Sequence, residues 1–215
     1  SMKAMAFTLS ASHLKEVQKI AQAIHVLQPG LSESKYMEYA VGIFKASRKY
    51  KIEPQLLVAI THTETAFRED LPEGKAGELG ICQILKSWIR NEKFIGEFGR
   101  TKERDFMRPE KSFLFAAWIL KDLKQTRRTK SIPYWSYYNA VRFEPRLRYF
   151  LVVNKRLSKL QNKEVFTSAI NEEPLLPLRA DAIRTDVSRE PATVRRWSNE
   201  ATFRKATVKK EKDVP

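Results

Sequence analysis

The stretch Pro54-Gln55-Leu56-Leu57-Val58-Ala59-Ile60-Thr61-His62-Thr63-Glu64 decides the fold of this chain. It predicts a helix that begins at Pro54, because proline is well tolerated at the first helical position. Helical spacing puts Leu57, Ile60 and Glu64 on one face, so a carboxylate stands where a hydrophobic residue is expected. A carboxyl group in apolar surroundings has a raised pKa, as a general acid needs near neutral pH. From this helix alone, a surface glutamate in the last turn explains the sequence equally well.

Apolar residues recur at helical spacing over most of the chain, and no convincing alternating strand appears. Residues 68–80 are rich in Gly, Pro and acidic residues, which predicts an irregular loop or a short hairpin. Over residues 146–160, the spacing puts Leu147, Phe150 and Leu151 on one face with Asn154 and Leu157. The fold class is therefore mainly α. The predicted helices cover residues 14–27, 36–47, 54–64 and 84–95, a segment that begins at Pro109, a short segment after Pro133, and residues 146–160.

The organisation is one domain followed by a tail. Residues 12–161 have enough apolar periodicity for a single compact helical domain. Residues 162–215 contain few large apolar residues and end in a charged run, so they cannot bury a core of their own. We expect them to form an extended basic tail, either wrapped over the domain or leading away from it.

Two further blocks follow Glu64-Thr65 in order: Gly77-Glu78-Leu79-Gly80-Ile81-Cys82-Gln83, and then Tyr137-Tyr138-Asn139-Ala140. The three blocks resemble the soluble lytic transglycosylase family and its relative, goose-type lysozyme. In that family the pattern reads Glu-Ser, Gly-x-x-Gly-Leu-Met-Gln and Ala-Tyr-Asn-Ala-Gly. Each motif alone is weak, but the three in the correct order are fairly specific. The resemblance covers roughly residues 36–160 and implies a lysozyme-like fold, with the loop or hairpin at residues 68–80 lying over the cleft.

The chain departs from the family pattern at four places. Thr65 replaces the serine and keeps a small hydroxyl, and Ile81-Cys82 replaces Leu-Met and keeps the apolar character. Val141 replaces the last glycine, so the backbone there cannot easily take a positive φ. Glu78 stands where the family has a small residue. We expect these changes to affect the shape of the cleft and the substrate preference, and to leave the identity of the acid unchanged.

The resemblance implies an enzyme that cleaves the β-1,4 bond from N-acetylmuramic acid to N-acetylglucosamine in peptidoglycan. Glu64 would be the general acid and then the base for attack by the muramic acid C6 hydroxyl, which gives an anhydro end. The alternative is a hydrolytic lysozyme (muramidase), which needs a second group to activate water. Asp70, Glu73 and Glu78 lie in the loop that should overhang the cleft, so the sequence leaves this alternative open.

The resemblance also assigns roles to the remaining motif residues. Tyr138 would direct its hydroxyl to Glu64, Asn139 would hold helix and loop together, and Gln83 would meet the N-acetyl groups. Thr65 would belong to the same substrate-binding set. Gly77 and Gly80 would let the backbone turn tightly beside the sugar.

Glu78 has two possible environments. Glutamate is mostly exposed, which favours solvent. If its carboxylate faces the sugar subsites instead, its charge would suit a free ammonium, and the enzyme would prefer de-N-acetylated peptidoglycan.

Composition limits the other function classes. The formal net charge is +15, from 40 Lys and Arg against 25 Asp and Glu, which suits any polyanion. A basic non-catalytic glycan-binding or nucleic-acid-binding module would explain the charge, but no nucleic-acid-binding signature accompanies it, and we expect no nucleic acid partner. Cys82 is the only cysteine, and His13, His25 and His62 show no metal-ligand spacing. We therefore expect no metal and no cofactor. We also expect the protein to be a monomer.

The expected location follows from the substrate. No run of 18 or more apolar residues is present, so we expect no transmembrane segment. A peptidoglycan enzyme acts outside the cytoplasm. We therefore expect a periplasmic or secreted protein whose native gene encodes an export signal beyond these 215 residues.

Overall fold

The computed structural model describes residues 10–127 and 132–162. All of these residues belong to one compact unit. The predicted tail, apart from Asn162, lies outside the described residues.

The described residues form seven α-helices, two short 3₁₀ helices and one small hairpin, which confirms the mainly α prediction. The α-helices are α1 (Ala11–Leu27), α2 (Glu33–Tyr50), α3 (Pro54–Thr65), α4 (Glu92–Phe98), α5 (Glu103–Phe106), α6 (Pro109–Thr126) and α7 (Phe143–Gln161). The hairpin strands are β1 (Glu78–Leu79) and β2 (Ile84–Leu85). The 3₁₀ helices cover Lys86–Arg90 and Tyr134–Tyr138.

The helix starts follow local chemistry that the sequence shows. Pro54 and Pro109 begin α3 and α6, where the missing N–H of proline removes no helical bond. Ser10 caps α1, because its hydroxyl accepts a hydrogen bond from the His13 N–H. Pro133 precedes a 3₁₀ helix, so the short helix predicted there is present in its tighter form.

The core is built around α3. Every residue from Leu56 to Thr61 is buried, because α1, α2, α6 and α7 all pack against this helix. The most extensive packing between helices is that of α2 with α6 and with α1. Beside them, an aromatic cluster fills the space below the first 3₁₀ helix; it consists of Phe94, Phe98, Phe106, Phe115 and Trp118. Helix α3 is thus packed against other helices on several sides.

The helix predicted over residues 84–95 is wrong. Ile84 and Leu85 pair with β1 in the antiparallel register Leu79–Ile84 and Glu78–Leu85. A separate helix, α4, then begins after Asn91, whose side-chain oxygen accepts a hydrogen bond from the Phe94 N–H at 3.0 Å. Strands of two residues are too short to show alternation, so the helical spacing of the segment dominated the prediction. The segment 68–80, predicted as an irregular loop or a short hairpin, is irregular up to residue 77, and the hairpin begins only at Glu78 and ends at Leu85.

The face of α7 on which the spacing places Leu147, Phe150 and Leu151 is not the one that packs into the core. The helix buries Arg146, Tyr149, Val153 and Leu160, whereas Leu147 and Leu151 are exposed. Both sides of α7 carry apolar residues at helical spacing, so periodicity cannot tell which side faces α3. Contact with the end of α3 turns Tyr149 inward.

Candidate active site

Glu64 lies in the last turn of α3, where the chain reverses direction. Ala66 and Phe67, which follow the helix, have φ values of 52° and 61°. Left-handed backbone at two consecutive non-glycine residues is costly, and it persists only where the surrounding structure fixes it. Phe67 is fully buried and stacks on Tyr39. This anchor sets the sharp turn that leaves Glu64 at the helix end.

The Glu64 carboxyl group is half-buried and held by one hydrogen bond. The Tyr149 hydroxyl, on α7, donates to Glu64 Oε1 at 2.7 Å. Burial raises the pKa of Glu64 to about 7, and the negative charge of Glu78 adds to the increase. The Tyr149 hydrogen bond and the positive charge of Arg156 oppose it. A carboxyl group with this pKa can donate and accept a proton near neutral pH.

The glycines of the second motif take the backbone geometry that was predicted. Gly77 and Gly80 have φ values of 87° and 68°, a region that favours glycine. At Gly80 there is no room for a side chain, because a Cβ atom would overlap the carbonyl oxygen of Phe106. Gln83 follows at φ 47°, and its side-chain Nε2 donates to the Gly80 carbonyl at 3.0 Å. This hydrogen bond stabilises the turn. The Gln83 side chain is half-buried, so part of it is also accessible at the surface.

Thr65 does not face the cleft, in contrast to its expected place among the substrate-binding residues. It is buried, and its hydroxyl donates to the carbonyl of Ile81 at 2.8 Å. This bond ties the end of α3 to the hairpin loop. The hydroxyl kept at this position therefore positions Glu64 relative to the loop.

The hydrogen bond predicted from Tyr138 to Glu64 is absent. The Tyr138 hydroxyl donates instead to the carbonyl oxygen of Cys82 at 2.9 Å, which fastens the second 3₁₀ helix to the hairpin loop. The tyrosine that holds the acid is Tyr149, which the sequence reasoning missed. Asn139 is exposed, and its side chain makes no hydrogen bond within the described residues, so its role in holding helix and loop together stays a prediction.

A second polar pair lies two residues before Glu64. Arg156 Nε donates to His62 Nδ1 at 2.7 Å, and Arg156 also donates to the Val152 carbonyl. Burial, followed by the charge of Arg156, lowers the pKa of His62 to about 4, so His62 is neutral over most of the pH range. His62 is half-buried. The pair connects α3 to α7 and keeps a cation near Glu64.

The three acidic residues of the loop have different environments. Glu73 is exposed and forms an ion pair with Lys86 at 2.6 Å, and Asp70 is exposed. Glu78 is half-buried, and its Oε2 accepts a hydrogen bond from the Ala76 N–H at 2.9 Å. Of the three, Glu78 is the one whose charge raises the pKa of Glu64.

Other reactive groups do not assemble into a site. Burial raises the pKa of the Cys82 thiol to about 12, so the thiol is not a nucleophile at neutral pH. Within residues 10–127 and 132–162, no three His, Cys, Asp or Glu side chains come together in a way that could hold a metal ion. None of the described helices is both long enough and apolar enough to cross a membrane.

Comparison with known families decides the identity of this domain. Residues 42–146 match the family described as the transglycosylase SLT domain. Over this segment the chain is similar to that family. Members of the SLT family are peptidoglycan lytic transglycosylases, which are glycosidase-type enzymes, and the protein is an enzyme of this class. No curated protein and no solved structure matches the chain.

The matched segment contains most of the site. Glu64, Gln83 and Tyr138 all lie within it, whereas Tyr149 lies three residues beyond its end. SLT proteins act on peptidoglycan, so the substrate of this domain is peptidoglycan. The expected lysozyme-like α domain is thus confirmed by both the helical architecture and the family.

Proposed function

We propose that the protein cleaves the MurNAc-β-1,4-GlcNAc bond of glycan strands as a lytic transglycosylase with Glu64 as its single acid and base. The observation that carries this proposal is the Glu64 carboxyl group, held by Tyr149 at 2.7 Å in surroundings that raise its pKa to about 7. Such a group is protonated in a large fraction of molecules near neutral pH. It can also hold the negative charge after it has given up its proton.

In the first step, protonated Glu64 donates its proton to the glycosidic oxygen. The bond between that oxygen and C1 of the muramic acid breaks, and positive charge develops at C1. Because Tyr149 occupies Oε1, the other carboxyl oxygen is the one that carries the proton. The carboxylate that remains faces the developing charge.

In the second step, ionised Glu64 takes the proton of the C6 hydroxyl of the same muramic acid. The C6 oxygen attacks C1, and the new bond closes the anhydro ring. Water is not consumed, and Glu64 returns to its protonated form. One carboxyl group therefore serves both steps, unlike the pair used by most glycosidases.

The surroundings of the loop acids favour this one-carboxylate mechanism. Glu73 is engaged by Lys86, Asp70 is exposed, and Glu78 is bound to the backbone of its own loop. A hydrolytic muramidase remains the second candidate, because Glu78 is close enough to Glu64 to raise its pKa. In that case Glu78 would activate water.

Glu78 also supports a finer proposal about the substrate. Its half-buried carboxylate is near enough to Glu64 to raise the pKa of that group, and a carboxylate at this distance can pair with a sugar that carries a free ammonium group. De-N-acetylated glycan would then be preferred. We further propose that the enzyme acts as a monomer in the periplasm or outside the cell, and that it does not bind nucleic acid.

The products of cell-wall digestion test the main proposal. Mass spectrometry of muropeptides should show anhydro-muramic acid ends. Reducing ends, about 18 mass units heavier because water has been added, would assign the reaction to a muramidase instead. A protein that binds the wall but releases no muropeptides would be a glycan-binding module, and a salt-sensitive DNA mobility shift without muropeptide release would indicate a nucleic-acid-binding module.

A further inference from the structure

The outer side of α7 carries an apolar stripe. Phe143, Leu147 and Leu151 are spaced by four residues and therefore lie along one face of the helix. Their exposed fractions are 57%, 36% and 57%, and Val141, just before the helix, is 72% exposed. Among the described residues, only Leu85 and Met107 are other large hydrophobic side chains with comparable exposure. The four residues thus form a patch, which calls for an explanation that scattered surface hydrophobics do not need.

This patch is not part of the core or of the active site. The opposite side of α7 buries Tyr149 and Val153, and Tyr149 points to Glu64. At 3.6 residues per turn, Leu147 and Tyr149 lie on nearly opposite sides of the helix. The stripe therefore faces away from the group that cleaves the glycan.

Exposed cations accompany the stripe. Arg142, Arg148 and Lys155 are exposed at its ends and along one flank. The acidic residue beside them, Glu144, lies 3.8 Å from Arg148, and this contact is exposed and weak. The other three cations of the helix are engaged: Arg146 donates to the Ser136 hydroxyl, Arg156 donates to His62, and Lys159 donates to the carbonyl of Val26. Three cations thus remain available beside the apolar residues.

We propose that the stripe of Val141, Phe143, Leu147 and Leu151, with Arg142, Arg148 and Lys155, docks on an anionic lipid surface. A helix that places Phe and Leu on one face and Lys and Arg beside them lies in the headgroup region, where lipid tails take the apolar side chains and lipid phosphates attract the cations. A glycan strand or a nucleic acid would engage the cations but would leave the phenylalanine and leucines in water. Because the stripe lies opposite Tyr149, a docked molecule keeps Glu64 on the side away from the lipid. This inference is independent of the mechanism proposed for Glu64.

Vesicle sedimentation with the full chain tests the proposal. We expect the protein to sediment with vesicles of phosphatidylglycerol and phosphatidylcholine in equal parts, and to remain in solution with phosphatidylcholine alone. The double substitution Phe143→Ser with Leu151→Ser should lower partitioning about tenfold or more. The double substitution Arg148→Gln with Lys155→Gln should lower it about 25-fold, since each cation near an anionic surface contributes roughly a factor of five.

Met107→Ser is the matched control, because Met107 is 37% exposed and lies outside the stripe. It should bind vesicles as the unsubstituted protein does, and circular dichroism should show all variants folded. The proposal would be overturned if the full chain failed to bind anionic vesicles, or if either double variant bound them as well as the unsubstituted protein does. Self-association that Phe143→Ser with Leu151→Ser abolishes, without any vesicle binding, would assign the stripe to a second copy of the chain and overturn it as well.

Discussion

Tyr149 and Glu64 are 85 residues apart in sequence, and their side chains meet at 2.7 Å. The tyrosine is buried on the inner side of α7, and burial keeps its pKa well above the ordinary value. Its hydroxyl therefore keeps its proton near neutral pH and remains a hydrogen-bond donor. It stabilises the ionised form of Glu64 and fixes one carboxyl oxygen, so that the other can reach the substrate.

Removal of the Tyr149 hydroxyl should change the pH profile. Tyr149→Phe removes a donor that lowers the pKa of Glu64, so that pKa should rise. The alkaline limb of the pH profile of kcat/KM, over which Glu64 loses its proton, should move to higher pH. The rate at the optimum should fall roughly tenfold, because a hydrogen bond to a charged group contributes about 1.5–3 kcal/mol. The measurement is release of muropeptides as a function of pH.

Tyr138→Phe is the control for this experiment. It removes a hydroxyl that binds the Cys82 carbonyl, so we expect a stability loss of about 1 kcal/mol and an unchanged alkaline limb. If Tyr138→Phe moved the limb and Tyr149→Phe did not, the assignment of Tyr149 as the partner of Glu64 would be wrong.

Glu64→Gln should abolish cleavage without unfolding the protein. The amide has nearly the same shape as the carboxyl group but cannot protonate the glycosidic oxygen. General acid catalysis is worth ~10²–10⁴-fold, and the loss of muropeptide release should be of that order. More than about half of the original rate in Glu64→Gln would exclude Glu64 and make Glu73 or Glu78 the candidate acid.

The same substitution should alter the pH dependence of stability. Glu64 has a pKa of about 7 in the folded state, above its value of about 4.3 in the unfolded chain, so the folded state binds more protons between these values. Its contribution to stability is present below pH ~4.3 and is lost as pH rises through about 7. His62 acts in the opposite sense: its folded pKa of about 4 is below the unfolded value of ~6.5, so its contribution is lost as pH falls through about 4.

The two effects partly cancel in the unsubstituted protein between pH 4.5 and 6.5, and Glu64→Gln leaves only the His62 effect. The free energy of unfolding of the variant, relative to the unsubstituted protein, should therefore increase as pH rises from 4.5 to 7.5. We expect a gain of about 1–3 kcal/mol, reduced from the full linkage value because Glu64 is partly accessible to water. Urea unfolding at four pH values measures it. A pH-independent difference would mean that the pKa of Glu64 is not raised by folding.

The sequence predicts those parts of the site that depend on local chemistry. Pro54 marks the start of α3 and so places Glu64 in its last turn, and Gly77 and Gly80 take the positive φ that glycine permits. Tyr149 could not be found in this way. Tyr149 can bind Glu64 only because its side of α7 faces α3. The apolar stripe on the outer side has the same helical periodicity as the buried residues on the inner side, so the sequence does not show which side faces α3.

The error at Tyr138 has a similar cause. The motif places a tyrosine near the acid, and Tyr138 is indeed near it, but its hydroxyl meets the Cys82 carbonyl. Two tyrosines from two elements converge on the end of α3, and only the packing of α7 decides which one binds Glu64. A carboxyl group that needs a partner was predictable, whereas the identity of a partner 85 residues away depends on tertiary structure.

Glu78 provides a test of substrate preference. If its carboxylate meets a free ammonium group, the unsubstituted enzyme should cleave enzymatically deacetylated walls faster than native walls. A charge-assisted hydrogen bond worth roughly 1–3 kcal/mol should give the unsubstituted enzyme a preference of about five- to 150-fold. Glu78→Ala should cleave both walls at the same rate. Equal rates on both walls for the unsubstituted enzyme would remove the proposal. Reducing ends that disappear in Glu78→Ala would instead identify Glu78 as the group that activates water.

Gly80 should be the glycine whose replacement most harms the protein. A Cβ atom there would overlap the Phe106 carbonyl oxygen, and Phe106 is fully buried, so its backbone cannot easily retreat. The positive φ adds strain for any other residue. We expect Gly80→Ala to lower the free energy of unfolding by about 2–4 kcal/mol.

Gly96→Ala is the matched control: Gly96 lies in α4, and a Cβ atom there meets nothing within 4 Å. It should gain up to ~1 kcal/mol from helix propensity. Urea unfolding of both variants decides the matter, and a Gly80→Ala protein as stable as Gly96→Ala would contradict the close approach of the hairpin loop to α5.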